Sequence, residues 1–195
     1  RAHLGSPVGL QGGFDADAVT VNPYLGAETI KPYVDVGLTR GKGIFVLVKT
    51  SNPGSGDIQD VTLNNAERTG EDTVFGLIAR MVNKLGEDCI GACGYGAIGA
   101  VVGATYPAQL KSLRETMPHS ILLIPGYGAQ GGTAKDVALG FRNRQGALVN
   151  NSRSLCFAYQ KEPYASRFGE TGYANATRAA TETMIAEIDA ALPFK

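Results

Sequence analysis

Ile121-Leu122-Leu123-Ile124-Pro125-Gly126-Tyr127-Gly128-Ala129-Gln130-Gly131-Gly132 is an apolar run that stops at a glycine-rich loop. A second run of the same design, Ala147-Leu148-Val149-Asn150-Asn151-Ser152-Arg153, follows after one intervening helical segment. Each reads as a strand delivering a loop suited to an anion. In the first loop four glycines let backbone N–H groups approach a ligand closely, and Gln130 adds an amide. In the second, Arg153 offers a planar fork of donors just past small polar residues.

The same alternation recurs along the rest of the chain. Ala18–Asn22 is a β-branched run ending at Pro23, and Gly43–Thr50 is a continuous apolar run of the kind buried on both faces. Ser51-Asn52-Pro53-Gly54-Ser55-Gly56 is a loop by composition. Between Thr69 and Gly86, Val74, Leu77, Ile78, Met81, Val82 and Leu85 keep helical spacing, with Glu71 and Asp72 at the dipole-favoured start. Ile98–Ala104 reads as a strand whose glycines and alanines allow close approach of neighbouring backbone or ligand. Pro107–Met117 reads as a helix with proline in its first turn, and Pro118 stands just past its end. Helices are also predicted over about Thr133–Arg144 and about Tyr173–Leu192, the latter with Met184, Ile185 and Ile188 inward and a flexible loop, Gly169–Gly172, before it. The weakest unit is Glu28–Val36, where Pro32 is expected to limit any helix to about one turn. Five strand–helix units in a row predict an α/β fold with a parallel sheet in a single domain spanning 1–195. Two successive units ending in phosphate-type loops resemble the phosphate site after the last two strands of a (β/α)₈ TIM barrel.

Composition narrows the function. Eighteen basic and 18 acidic residues give zero formal charge in 195 residues, with no basic stripe for nucleic acid and no polybasic segment for anionic lipid. No apolar run approaches the roughly 18 residues of a membrane span. Three cysteines, Cys89, Cys93 and Cys156, in a chain this long read as reduced thiols of a cytoplasmic protein. Cys89 and Cys93 lack a nearby third ligand, so burial is the favoured reading and no metal is expected.

The loops leave alternatives open. Gly126–Gly131 spells G-x-G-x-x-G, yet a dinucleotide fold wants a carboxylate after the next strand, and this chain has Asn150, Asn151, Ser152 and Arg153 there. A phosphate clamp fits better than a nicotinamide site or a bare chain reversal. Ser51 and Asn52 either hydrogen-bond a heterocycle or cap their own loop. Asp57 and Asp60 are either catalytic or, as Asp in such a loop more often is, turn formers or helix caps, and Lys49 is either a catalytic cation or, the favoured reading, a lysine of the outer shell or strand end.

Five blocks in order resemble one family. Asp17–Gly26, Phe45–Pro53, Val101–Thr105, Ile124–Gly132 and Asn151–Ser154 look like orotidine 5′-phosphate decarboxylase in its longer-chain subgroup. The resemblance implies a (β/α)₈ barrel, a homodimer, and conversion of orotidine 5′-phosphate to uridine 5′-phosphate and carbon dioxide without cofactor or metal. By position it implies that Gln130 and Arg153 grip the phosphate, helped by backbone N–H groups near Gly131 and Ser152. It implies that Ser51 hydrogen-bonds the pyrimidine, and that Pro125 and Tyr127 flank the base. Thr20, Leu47 and a valine of Val101-Val102 would line the pocket near the departing carboxylate. The family pattern often has glycine where this chain has Ser152.

One departure is large. The family's catalytic D-x-K-x-x-D segment is absent from the chain, and Lys49 lies on the wrong strand to replace it. The blocks match strands four to eight, and Arg1–Gly5 resembles the end of the helix after strand three. A barrel of this type takes about 250 residues. The expectation is therefore the C-terminal part of a barrel, with no catalytic residue of its own, completed by an N-terminal segment of the same protein. Two other readings stand beside it. One is another sugar-phosphate barrel enzyme, separable by comparing uridine 5′-phosphate with ribose 5-phosphate. The other is a non-catalytic nucleotide-binding module, separable by activity.

Overall fold

The computed structural model describes residues 3–4, 14–63 and 73–193. The helix end read at 1–5 and the acidic pair Glu71 and Asp72 fall largely or wholly outside them. Five strands, β1 (Ala18–Val21), β2 (Gly43–Lys49), β3 (Ile98–Val102), β4 (Leu122–Ile124) and β5 (Ala147–Val149), pair in parallel in the order β1-β2-β3-β4-β5. Between and after them run α1 (Ala27–Arg40), α2 (Gly56–Gln59), α3 (Val74–Gly86), α4 (Pro107–Thr116), α5 (Ala134–Ala138), α6 (Ser152–Cys156), α7 (Tyr164–Phe168) and α8 (Tyr173–Ala191). Strand order equal to chain order, all parallel, is the winding of a barrel and lacks the reversal of an open doubly wound sheet.

Strand alternation sorts the residues onto two faces. Val21, Ile44, Val46, Val48, Ile98, Ala100, Val102, Leu122 and Ile124 form one buried cluster with Leu110 and Leu113 of α4, Val137 of α5, and Met184 and Ile188 of α8. Each fully buried Val, Leu or Ile among them contributes roughly 1.5–3 kcal/mol of transfer free energy. Thr20, Phe45, Leu47, Val101, Leu123 and Leu148 fall outside that cluster and occupy the other face, which the helices do not cover. Leu148 is 53% exposed there. Among the described residues β1 and β5 each pair on one side only. No helix among them is long and apolar enough to cross a membrane.

Several elements differ from the sequence expectation. α1 runs 14 residues straight through Pro32. Proline there removes only the hydrogen bond to the Glu28 carbonyl, on an exposed face, while Ile30 anchors the core and Lys31 pairs with Asp35 at 2.8 Å. α5 stops at Ala138 instead of continuing to Arg144, because Asn143 and Arg144 take positive φ and a turn joins Arg142 to Gln145. Gly140 lies so close to Ile124 that a Cβ would sit 2.4 Å from Ile124 Cδ1. In α8, Met184 and Ile188 are buried but Ile185 is 57% exposed, one helical step off their face. Cys93 and Cys156 are exposed and Cys89 is half-buried, all three as free thiols.

Arg114 ties the strand starts together. Its guanidinium is buried and donates to the carbonyls of Gly146 at 3.1 Å, Ser120 at 2.8 Å, and Met117. Burial pushes its pKa down to about 10. The end of α4 is thereby fixed to the segments entering β4 and β5.

Candidate functional site

The C-terminal ends of β2, β3 and β4 converge on Gly126. A Cβ built on Gly126 would lie 3.2 Å from Gln130 Oε1, 3.2 Å from Ser51 Cβ and 3.3 Å from Thr105 Cγ2. The approach is possible because Gly103, at the end of β3, carries no side chain; a Cβ there would meet Ser51 N and Cα at 2.9 Å. Backbone bonds hold these ends in register. Gly103 N–H donates to the Lys49 carbonyl at 2.7 Å, and Ala104 N–H to the Pro125 carbonyl at 2.8 Å. Thr105 Oγ1 reaches the Ser51 carbonyl at 3.5 Å.

The β4 loop is a compact turn. Gly128 N–H donates to Gly132, Gly131 N–H to Gly128 and Gly132 N–H to Gly126, at 2.8, 2.8 and 3.0 Å. Positive φ at Gly126, Gly128 and Gly131 makes this path open to glycine and strained for other residues. The loop then enters α5 through a capping box between Thr133 and Asp136. It also rests on the β5 loop, where a Cβ on Gly128 would be 3.0 Å from Asn151 Nδ2. Asn151 is buried and precedes α6, so Ser152 and Arg153 emerge beside the glycine loop.

The structure thus brings Ser51, Gln130, Pro125, Gly131, Ser152 and Arg153 to adjoining loops at one end of the sheet. Gln130, Ser152 and Arg153 are exposed. Among the described residues Arg153 has no ion pair, and Ser51 Oγ and the amides of Ala129 and Gln130 have no hydrogen-bond partner. Thr20, Leu47 and Val101 share the uncovered face. Val102 does not; it belongs to the helix-side core. Gly131 needs a correction too, because its own amide is used inside the turn and is not free for an anion in this conformation.

Tyr127 requires the largest correction. Its ring is buried in the helix-side cluster and its hydroxyl donates to Glu187 of α8. Burial, with Glu187 adding to it, pushes its pKa up to about 12. The side chain anchors the loop to α8 and does not face Ser51. Lys49 is wholly buried on the helix side, in keeping with its reading as an outer-shell lysine. Two residues that hold the site, Thr105 and Asn151, lie in the blocks that carry the family resemblance but have no role assigned from the sequence.

A one-directional parallel sheet with its glycine loops and unpaired polar groups gathered at the C-terminal strand ends defines the class: a βα-barrel protein of the kind that places its chemistry there. The chain belongs to the orotidine 5′-phosphate decarboxylase / HUMPS family, whose model matches residues 10–160. It is 47% identical over 184 residues to the orotidine 5′-phosphate decarboxylase of Rhodopirellula baltica, covering 94% of this chain and 59% of that protein. It is 40% identical over 170 residues to that of Clostridium tetani, covering 87% and 55%. Among solved structures, Leishmania donovani OMP decarboxylase superposes with a TM-score of 0.63 at 30% identity, over 90% of this chain and 58% of that one. The chain therefore spans a little over half the length of these relatives.

Proposed function

We propose that this chain carries the nucleotide-binding half of an orotidine 5′-phosphate decarboxylase, an enzyme of pyrimidine biosynthesis that forms uridine 5′-phosphate. The observation that carries the reading is the convergence of Ser51, Thr105 and Gln130 around Gly126, with Arg153 on the loop beside it. Gln130, Arg153 and the amide of Ser152 bind the phosphate. The Ser152 amide opens α6 and so has no acceptor within it. The amides of Ala129 and Gln130 serve in place of that of Gly131. Ser51 hydrogen-bonds the pyrimidine, Pro125 lies against the base, and Thr20, Leu47 and Val101 line the apolar space near the reacting carbon.

Loss of carbon dioxide leaves a carbanion on the ring that must be stabilised and protonated. Grip on the distant phosphate supplies binding energy for organising the loops around the ring. The residues that stabilise the charge belong to the D-x-K-x-x-D segment, which this sequence does not contain. That segment is supplied by an N-terminal part of the same protein, paired along the open edges of β1 and β5, in a cytoplasmic homodimer that uses no cofactor.

Turnover of orotidine 5′-phosphate tests the reading. A sample proven by mass spectrometry to contain these residues alone binds uridine 5′-phosphate and releases no carbon dioxide. Addition of a polypeptide carrying the D-x-K-x-x-D strands restores release. Failure to bind uridine 5′-phosphate in both samples contradicts the reading, and turnover by these residues alone contradicts the placement of catalysis elsewhere.

A further inference from the structure

Lys49 is the largest fully buried side chain among the described residues, and its charge takes no part in the proposed nucleotide contacts. Its Nζ lies 2.8 and 2.9 Å from the two carboxylate oxygens of Asp60, 3.2 Å from Ser55 Oγ, and 4.3 Å from the centre of the Tyr106 ring. Asp60 also accepts from Gln109 Nε2 at 3.3 Å. Tyr106 and Gln109 belong to the start of α4, so the ammonium joins the loop after β2 to the loop after β3.

The strand is built for this. Pairing of β2 with β3 shifts register between Leu47 and Lys49, which turns the lysine to the helix side. Two residues on, Ser51 sits with its backbone on Gly103. The segment returns at once: Gln59 Oε1 accepts from Thr50 N–H at 2.9 Å and Asp60 meets Lys49. Ser51 is therefore held between two clasps, one on each of its preceding residues. Burying an ammonium is costly, and an apolar side chain of similar length would fill the space without that penalty. What the pair adds is one defined path for residues 50–60.

We propose that Lys49 is a positioning residue that, through Asp60, sets Ser51 for the base of the bound nucleotide. This rests on the reading that Ser51 meets the pyrimidine. The phosphate contacts come from the loops after β4 and β5 and do not depend on the clasp. The effect is thus specific to ligands that carry a base.

The test compares dissociation constants of uridine 5′-phosphate and ribose 5-phosphate for the parent protein, Lys49→Met and Asp60→Asn. It is made on the protein as purified, with any companion polypeptide retained. Both variants are expected to bind uridine 5′-phosphate about tenfold more weakly, the scale of one lost hydrogen bond, and ribose 5-phosphate within about twofold of the parent. Asp60→Asn keeps an acceptor for the ammonium and serves if Lys49→Met fails to fold. Unchanged affinity for uridine 5′-phosphate, or an equal loss for both ligands, overturns the inference. A parent protein that does not prefer uridine 5′-phosphate to ribose 5-phosphate overturns the functional reading and this inference with it.

Discussion

Arg153 stands exposed and without an ion pair among the described residues, beside a loop whose amides are in part free. Arg153→Ala is expected to weaken uridine 5′-phosphate by about 2–3 kcal/mol, the scale for a charge-assisted hydrogen bond to a charged group. Uridine itself is expected to lose almost nothing, and titration calorimetry with both ligands reads the difference. Tyr127 carries a pH signature. Its pKa is raised to about 12, above the ordinary tyrosine value of about 10. The stabilisation it provides is thus complete below pH 10 and is lost as the pH climbs through 12. Tyr127→Phe is expected to cost about 1 kcal/mol at neutral pH, for a hydrogen bond to an exposed carboxylate. Urea unfolding should show the gap between parent and variant narrowing above pH 10. At this scale the sequence was legible in part. Residue type and loop position marked Gln130, Arg153 and Ser51, whereas the direction of Tyr127 was not readable. That direction depends on α8, which lies 60 residues further along the chain.

At the scale of elements, the site depends on close approach of strand ends. Gly103→Ala places a methyl group 2.8 Å from Ser51 Cβ. Overpacking of this kind costs roughly 1–3 kcal/mol. The variant is expected to melt lower and to lose affinity for uridine 5′-phosphate more than for ribose 5-phosphate; equal losses would show that Ser51 has not moved relative to the base. The five strands were legible because their apolar runs end in clear turn signals. Helix lengths were less so. Proline in α1 did not end the helix, because the hydrogen bond it removes faces water and the core contact at Ile30 outweighs it. The spacing after Thr133 suggested a long helix, but a close glycine contact and two left-handed residues end α5 early. The short helices α6 and α7 carry too few turns to show periodicity.

At the scale of the molecule, the governing feature among the described residues is a sheet with two edges and an uncovered face bearing Phe45, Leu47, Leu123 and Leu148. Native-state hydrogen exchange should show β2 and β3 protected most and β1 and β5 least when the chain is alone, since unpaired edges open locally at low cost. Binding of the N-terminal strands is expected to raise protection along both edges; protection confined to the helices would contradict completion of the sheet. A cavity of about 650 Å³ on the helix side is lined by Lys111, Arg114, Lys135 and Arg142. In the proposed reading the loops after β4 and β5 grip one phosphate while Ser51 meets the base. Backbone amide NMR during titration with uridine 5′-phosphate reads both contacts residue by residue. The largest shifts are expected on residues 126–132, 151–153 and 51. Shifts gathered instead around Lys111 and Arg142, with the glycine loop unmoved, would contradict that reading.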